Sequence, residues 1–333
     1  MFYGPRFTVE GNVTVDPNFG LTIGTNGPVF GYIQTGADYF LVGSFSDIEQ
    51  TTASNSNFKY NGIAKINKNG GVYKNRWWEN NDSDGNTPGR GLKGLNTSIL
   101  SISRFSNGKY LISGNFDEQY VGNKDGSNLT KGIDYEYGLG SITTINENTS
   151  LQLLKNVDVV NPTPEFPELG KDDVPMFNGG FPNQVVVKSV ITADDKVIAL
   201  GNLNLYASAD YSKSTRQTRF YNYTNVKSVA KMDQFGVLDP TYHTGTGGIN
   251  GIINDAALLE NGKLIIVGSF SSFDGVQANN IVRLDANGNY DSSFAIGTGA
   301  NGQISNIEYN AQYQKIIITG SFTTFNGNPH DGV

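Results

Sequence analysis

Apolar residues in this chain come in short runs, and none of the runs has helical spacing. The clearest stretch is Lys263 to Phe294, KLIIVGSFSSFDGVQANNIVRLDANGNYDSSF. It holds an apolar run ending at Gly268, a polar connection, a half-apolar run from Ile281 to Leu284, an Asn-Gly turn and an Asp-x-x-Phe terminus. Runs of this length bounded by turn residues predict strands.

The glycine-ended run recurs five times, at 39–45 (YFLVGSF), 109–116 (KYLISGNF), 196–203 (KVIALGNL), 263–270 (KLIIVGSF) and 315–322 (KIIITGSF). A short turn precedes each copy, at 36–38, 106–108, 193–195, 260–262 and 312–314. Asn-Gly and its relatives there supply the positive φ of a tight hairpin. Upstream of each turn lies another apolar run: Val29 to Gln34, Ile99 to Arg104, Val185 to Ile191, Ile252 to Leu258 and Ile304 to Tyr309. We term this strand A and the glycine-ended run strand B. Strand C follows at 62–67, 140–146, 228–233 and 280–285, and a fourth strand, D, leads into 239–242 (DPTY) and 291–294 (DSSF). Four antiparallel strands joined in sequence make a propeller blade. The predicted fold is therefore all-β, a five-bladed β-propeller of four-stranded antiparallel blades.

The fifth copy stops at Val333, where its strand C is due. Residues 6–19 (RFTVEGNVTVDPNF) align without a gap on 281–294 (IVRLDANGNYDSSF), placing Val9 on Leu284, Asp16 on Asp291 and Phe19 on Phe294. Residues 6–19 are thus expected to complete the fifth blade, so that one domain, 1–333, closes by pairing its two ends and leaves no open seam.

These units resemble the delta-sixty family of β-propeller repeats, whose pattern runs DGKILVGGSF, FNG, IARLNxDGSLDxSF. Copies four and five carry it best (ENGKLIIVGSFSSFDG, NIVRLDANGNYDSSF, KIIITGSFTTFNG), and copy two carries it least, with NENTSLQLL in place of the Asp-Gly turn. The resemblance implies a fold, together with the settings in which such repeats occur, bacterial surface proteins and phage proteins.

Composition agrees with many short strands and tight turns: Gly is abundant at 41 residues and charged residues are scarce at 17%. A net charge of −7 without a basic stripe argues against a nucleic-acid surface. The chain has no cysteine, which excludes disulfides and thiolate metal sites. The opening MFYGPRFTVEGN lacks a basic region followed by an apolar core, and no run reaches membrane-span length, so neither a secretory signal nor membrane insertion is expected.

In an A-B-C-D meander, the A-B and C-D turns share one end of the blade, and the B-C loops and D-to-A connections share the other. The long segments 79–96, 117–137, 161–182 and 204–226 all belong to the second group. One face is therefore expected to be plain and the other elaborate, with binding mounted on the elaborate one. Its segments are rich in Tyr among small polar residues, a composition that gives rigid amphipathic contact surface. The candidate binding residues are Trp77, Trp78, Tyr120, Tyr135, Tyr137, Tyr206, Tyr211, Tyr221 and Tyr223.

Other motifs read as scaffold. Gly297-Thr-Gly-Ala-Asn-Gly302 satisfies the dinucleotide-binding string, but strand A follows it instead of a helix, so it reads as a blade connection. Asn80-x-Asp82-x-Asp84-Gly85 opens like a calcium loop, yet position twelve is Gly91, and a solvated acidic turn is the better reading. His243 and His330 are too few for a multi-histidine metal site, and neither sits in a nucleophile motif. Asp255 and Glu308 lie on adjacent strand A copies but at opposite side-chain phase, which disfavours a glycosidase pair. No cofactor or metal is expected. The reading that follows is a non-enzymatic structural and interaction propeller of a phage virion, tail-associated or receptor-facing. Its partners would be other virion or surface proteins. The alternative is a cell-surface or secreted adhesin that binds a host glycan, with a propeller glycosidase further behind.

Overall fold

The computed structural model describes residues 2–3, 7–8, 14–15, 23–46, 48–50, 62–73, 91–93, 98–121, 135–137, 139–147 and 151–330. Nearly all of its regular structure is antiparallel strand. Repeat 1 is the meander Val29–Thr35, Asp38–Gly43, Ile63–Ile66, and repeat 2 is Ser98–Arg104, Tyr110–Asn115, Ile142–Ile145. Repeat 3 is Val186–Ile191, Val197–Gly201, Val229–Met232, and repeat 4 is Ile249–Leu258, Leu264–Phe273, Ile281–Leu284. Repeat 5 has Ile304–Asn310 and Lys315–Gly320. Strand B lies between A and C in the first four sheets, the order expected of a blade.

Every A-B turn carries a residue at positive φ: Gly36, Gly108, Asp195, Gly262 and Gln314. In the last four repeats this residue's N–H closes a turn onto the carbonyl three residues earlier, for example Gly262 onto Leu259 at 3.0 Å. The strand B glycine is just as regular. Gly43, Gly114, Gly201, Gly268 and Gly320 pair with Val29, Ile99, Val186, Ile253 and Ile304, and in all five sheets the register slips immediately after that pair. At each of them a β-carbon would overlap a backbone carbonyl oxygen of strand A or the residue before it, those of Pro28, Ser98, Val185, Ile252 and Gln303. The repeated glycine is thus the partner of a repeated β-bulge, where two backbones approach too closely for any side chain.

Strand D differs from the prediction. Among the described residues, each of the first four repeats shows a single bridge in place of a strand: Ile66 to Val72, Ile145 to Leu151, Met232 to Leu238 and Leu284 to Tyr290. The Asp-x-x-Phe signal explains the shortness in repeat 4. The Asp291 N–H still bonds the Arg283 carbonyl at 2.9 Å, but its carboxylate accepts the Ser293 N–H at 3.0 Å and hydroxyl at 2.6 Å, which turns the chain out of the sheet.

Two compact units emerge, residues 1–177 with 209–221 and residues 178–208 with 222–333. In the second, strand B of repeat 4 alternates between two cores. Leu264 and Ile266 join Ile198, Leu200 and Val229 of repeat 3, whereas Ile265 and Val267 join Ala300, Ile304, Ile307 and Phe322 of repeat 5. A strand with a neighbouring sheet on each face buries both side-chain phases, and so its sequence is uniformly apolar instead of alternating. In the first unit, Phe40 of repeat 1 meets Tyr110 of repeat 2 edge to face at 4.8 Å.

At the N-terminus Phe7–Thr8 pairs with Thr14–Val15, the segments aligned with strands C and D, but Val15 faces Phe7 where Tyr290 of repeat 4 faces Leu284, the counterpart of Val9; Phe2–Tyr3 pairs with Ile23–Thr25. Among the described residues, strand B of repeat 5 pairs with strand A alone.

Candidate functional site

The loops expected to carry function leave the sheet through a common neck. In repeat 4 the Gly268 N–H donates to the Asn280 carbonyl at 3.0 Å, and the Asn280 N–H donates back to Phe270 at 2.9 Å. The same two bonds join Gly43, Gly62 and Phe45, then Gly114, Ser141 and Phe116, then Gly201, Ser228 and Leu203. The residue that re-enters the sheet has positive φ each time, at Gly62, Ser141, Ser228 and Asn280. A loop can be inserted above this clamp without altering the blade below, and a buried apolar residue anchors it each time, Phe45, Phe116, Leu203 or Phe270.

Above the neck, each B-C loop binds the connection that enters strand A of its own repeat. Ile23–Thr25 pairs with Ile48–Gln50, Gly91–Lys93 pairs with Glu118–Val121, and Gly180 bridges Ala207. In repeat 4, Asp274 accepts the N–H groups of Gly247 at 3.0 Å and Gly248 at 2.7 Å and lies 3.1 Å from the His243 ring. Asn326 takes the Asp274 role in repeat 5, accepting from Thr298. Asparagines fix the arrangement a second time: Asn26 accepts from Ser46, Asn250 from Ser271 and Ser272, and Asn301 from Thr323 and Thr324. The Gly297–Gly302 string is one such connection. It leads into a strand, and its glycines lie against Asn326, Asn279 and Ser321.

Among the described residues, repeat 3 carries the largest elaboration. Leu153–Asp158 pairs with Lys171–Pro175, and Leu205–Ala209 pairs with Tyr221–Asn225. The loops capping these hairpins are fastened together. Val160 donates to the Ser214 carbonyl at 2.8 Å, and Asp172 forms an ion pair with Arg219, with Arg216 at 3.9 Å. Asp172 and Arg219 side chains are only 3% and 5% exposed. Burial pushes the Asp172 carboxyl up against the pull of Arg219 and Arg216, and burial likewise pushes Tyr211 above the usual tyrosine range. The same two loops expose Phe166, 47% exposed, and Phe220, 52% exposed, with Val160 also at the surface. Phe220 is tied down by its N–H to the Ser214 hydroxyl at 3.1 Å, and Phe166 by its carbonyl to the Asn161 amide at 3.2 Å.

The aromatic candidates scatter across these environments. Tyr223 is exposed and Tyr221 is half-buried. Tyr206 proves to be core: its ring meets Phe181 at 5.2 Å and its hydroxyl donates to the Gly236 carbonyl. Tyr211 buries its hydroxyl, which has no hydrogen-bond partner among the described residues. Tyr120 pairs in register with Glu136, Tyr135 with Val121 and Tyr137 with Gln119, in a small sheet raised on the loop of repeat 2. Trp77, Trp78 and the Asn80 to Gly85 turn lie outside the described residues. Sequence reasoning passed over Phe166 and Phe220, which sit in the same segments but lack the tyrosine signal.

Asp255 and Glu308 occupy different surroundings. Asp255 is buried, accepting Lys188 at 2.8 Å, the Ala256 N–H at 2.9 Å and the Ile307 N–H at 3.1 Å. It thereby ties together strand A of three successive repeats, whereas Glu308 is exposed. Among the described residues, no three His, Cys, Asp or Glu side chains gather as a metal site.

A cavity of about 520 Å³ opens at the opposite end of the strands, among the A-B turns of repeats 3, 4 and 5. Ile198, Leu258 and Leu259 supply apolar wall, and Thr192, Asp194, Lys231, Glu260 and Tyr309 supply polar groups. The face expected to be plain therefore holds a cavity.

Residues 259–294 match a family described as a domain of unknown function (DUF5122) beta-propeller. Residues 9–108 match a second domain of unknown function, DUF5124. The first match supports a propeller-type repeat, the coarse form of the resemblance read from the sequence. No curated protein sequence matches the chain. Among solved structures it is similar to an endo-1,5-alpha-L-arabinanase from Thermotoga petrophila RKU-1, at 14% identity and a TM-score of 0.25, covering 91% of this chain and 60% of that one. It is also similar to the extracellular domain of the one-component system BT4673 from B. thetaiotaomicron, at 13% identity and a TM-score of 0.17, covering 91% of this chain and 51% of that one. No helix among the described residues is long and apolar enough to cross a membrane.

Proposed function

We propose that this chain is a non-enzymatic interaction module: a single five-bladed propeller, its ring closed by residues 6–19, whose B-C loops and D-to-A connections contact another protein in a phage virion. The observation that carries the interaction reading is the exposed apolar group Val160, Phe166 and Phe220 on two loops locked together by Asp172 and Arg219. Loops already ordered lose little conformational freedom on binding, and exposed aromatics on such a platform are the composition of an interface anchor. Saturation of Asp255 by structural bonds supports the non-enzymatic part of the reading, since a general acid or nucleophile needs an oxygen open to substrate.

The test is incorporation. Tagged chain should co-sediment with purified particles, and the Phe166→Ser/Phe220→Ser double variant should be lost from them while melting at the same temperature. Particles that never contain the chain would remove the virion reading. Unchanged incorporation of the double variant would remove this surface as the contact.

A further inference from the structure

We propose that the cavity among the A-B turns of repeats 3 to 5 is a binding site for a neutral carbohydrate of two or three rings. It is independent of the interaction reading above, because none of the residues that line it belongs to the inserted loops. The argument begins with size. A volume of about 520 Å³ falls within the range of roughly 300–1,000 Å³ typical of small-molecule clefts.

The chemistry of the lining narrows the class. Asp194 and Glu260 offer carboxylate acceptors, and Lys231 offers ammonium donors into the same space. An anion would meet two like charges there and a cation would meet one, whereas each sugar hydroxyl is both donor and acceptor and satisfies either sign without carrying charge. The apolar wall of Ile198, Leu258 and Leu259, with Tyr309 beside it, suits the C–H face of a sugar ring.

Its polar groups are also held in place. Asp194 accepts the Thr192 hydroxyl at 2.5 Å, and the Lys231 ammonium rests 5.4 Å over the Tyr242 ring. The turns that carry the site are closed by backbone bonds of 2.8 Å from Thr192 to Lys196 and from Leu259 to Lys263. The cavity is formed before any ligand arrives, so little binding energy is lost in ordering it.

Titration calorimetry of the whole chain with maltose, cellobiose, lactose, xylobiose and arabinobiose tests the proposal. At least one should bind saturably, with a dissociation constant at or below the millimolar range. Glu260→Gln and Tyr309→Ala should each weaken that binding at least tenfold, and Phe220→Ser, outside the cavity lining, should leave it unchanged. Glu260 is exposed and its substitution does not threaten folding, so E260Q stays informative if the Tyr309 variant melts early. No binding across the panel overturns the proposal, as does binding that E260Q leaves intact.

Discussion

The carbonyl oxygen of Ile252 occupies the space that a β-carbon on Gly268 would need. Strand A bulges at this point and brings its backbone against strand B, so the contact is backbone to side chain and no rotamer relieves it. Gly268→Ala should cost more than about 3 kcal/mol, or prevent folding. Gly275 is the control: its φ is 77° and no atom lies within 4 Å of the place a β-carbon would take, so Gly275→Ala should cost only about 1 kcal/mol from its left-handed conformation. Equal losses in urea melts would refute the bulge explanation.

The buried pair Asp172 and Arg219 makes a second prediction. Removing one partner leaves the other charge buried without its main counter-charge, so Asp172→Ala or Arg219→Ala should destabilise by about 3–5 kcal/mol. Replacing both with apolar residues of similar volume should restore much of that loss. Limited proteolysis should show the damage first in 209–221, since that loop is held to 158–172 by this pair and by the Val160 bond. Uniform sensitivity along the chain would argue against a local lock.

Asp291 makes stability depend on acid. The Lys263 ammonium at 2.7 Å, with Ser293 and Arg283, holds its carboxyl well below the usual carboxylate range. A depressed folded-state value means the contribution is complete above the unfolded value of about 4 and disappears as pH falls through the folded one. Asp239, lowered chiefly by the Thr241 hydroxyl, acts in the same direction in repeat 3. Asp291→Asn should therefore flatten the fall in melting temperature below about pH 4 while changing its slope little near neutrality. An unchanged acid limb would show that the pair is too well solvated to matter.

Much of the blade was legible because one physical demand recurs in each copy. Strand B must bury both faces and pass a bulge, which leaves an apolar run with a glycine at a fixed place, as Leu264 to Gly268 shows. Strand D was overread, since Asp291 bends the chain after a single bridge. The loops were legible in location but not in detail. Asp172 and Arg219 meet from different insertions with no period to relate them, and Tyr206 packs as core within a segment whose polar composition resembles a surface loop. A usable signal was the Asn-Gly pair before strand A at 26–27, 250–251 and 301–302, whose asparagines staple the two connections together.

The outer edge of repeat 5 tests ring closure. Ile317 is 58% exposed, whereas Ile265, its counterpart in repeat 4, is 2% exposed and sits in a strand B flanked by strand C. If the proposed closure holds, the gapless alignment would set residues 6–9 beside strand B of repeat 5, with Phe7 and Thr8 opposite Ile318 and Ile317. A sheet edge unpaired among the described residues, with Ile317 exposed on it, invites association with other chains, which closure would prevent. Deleting residues 1–19 should then lower the melting temperature by at least about 5 °C and promote self-association. Backbone amides of Ile316 to Thr319 that face this edge should exchange slowly in the full chain and quickly in the truncated one. If melting and exchange are both unchanged, the N-terminal segment does not close the ring.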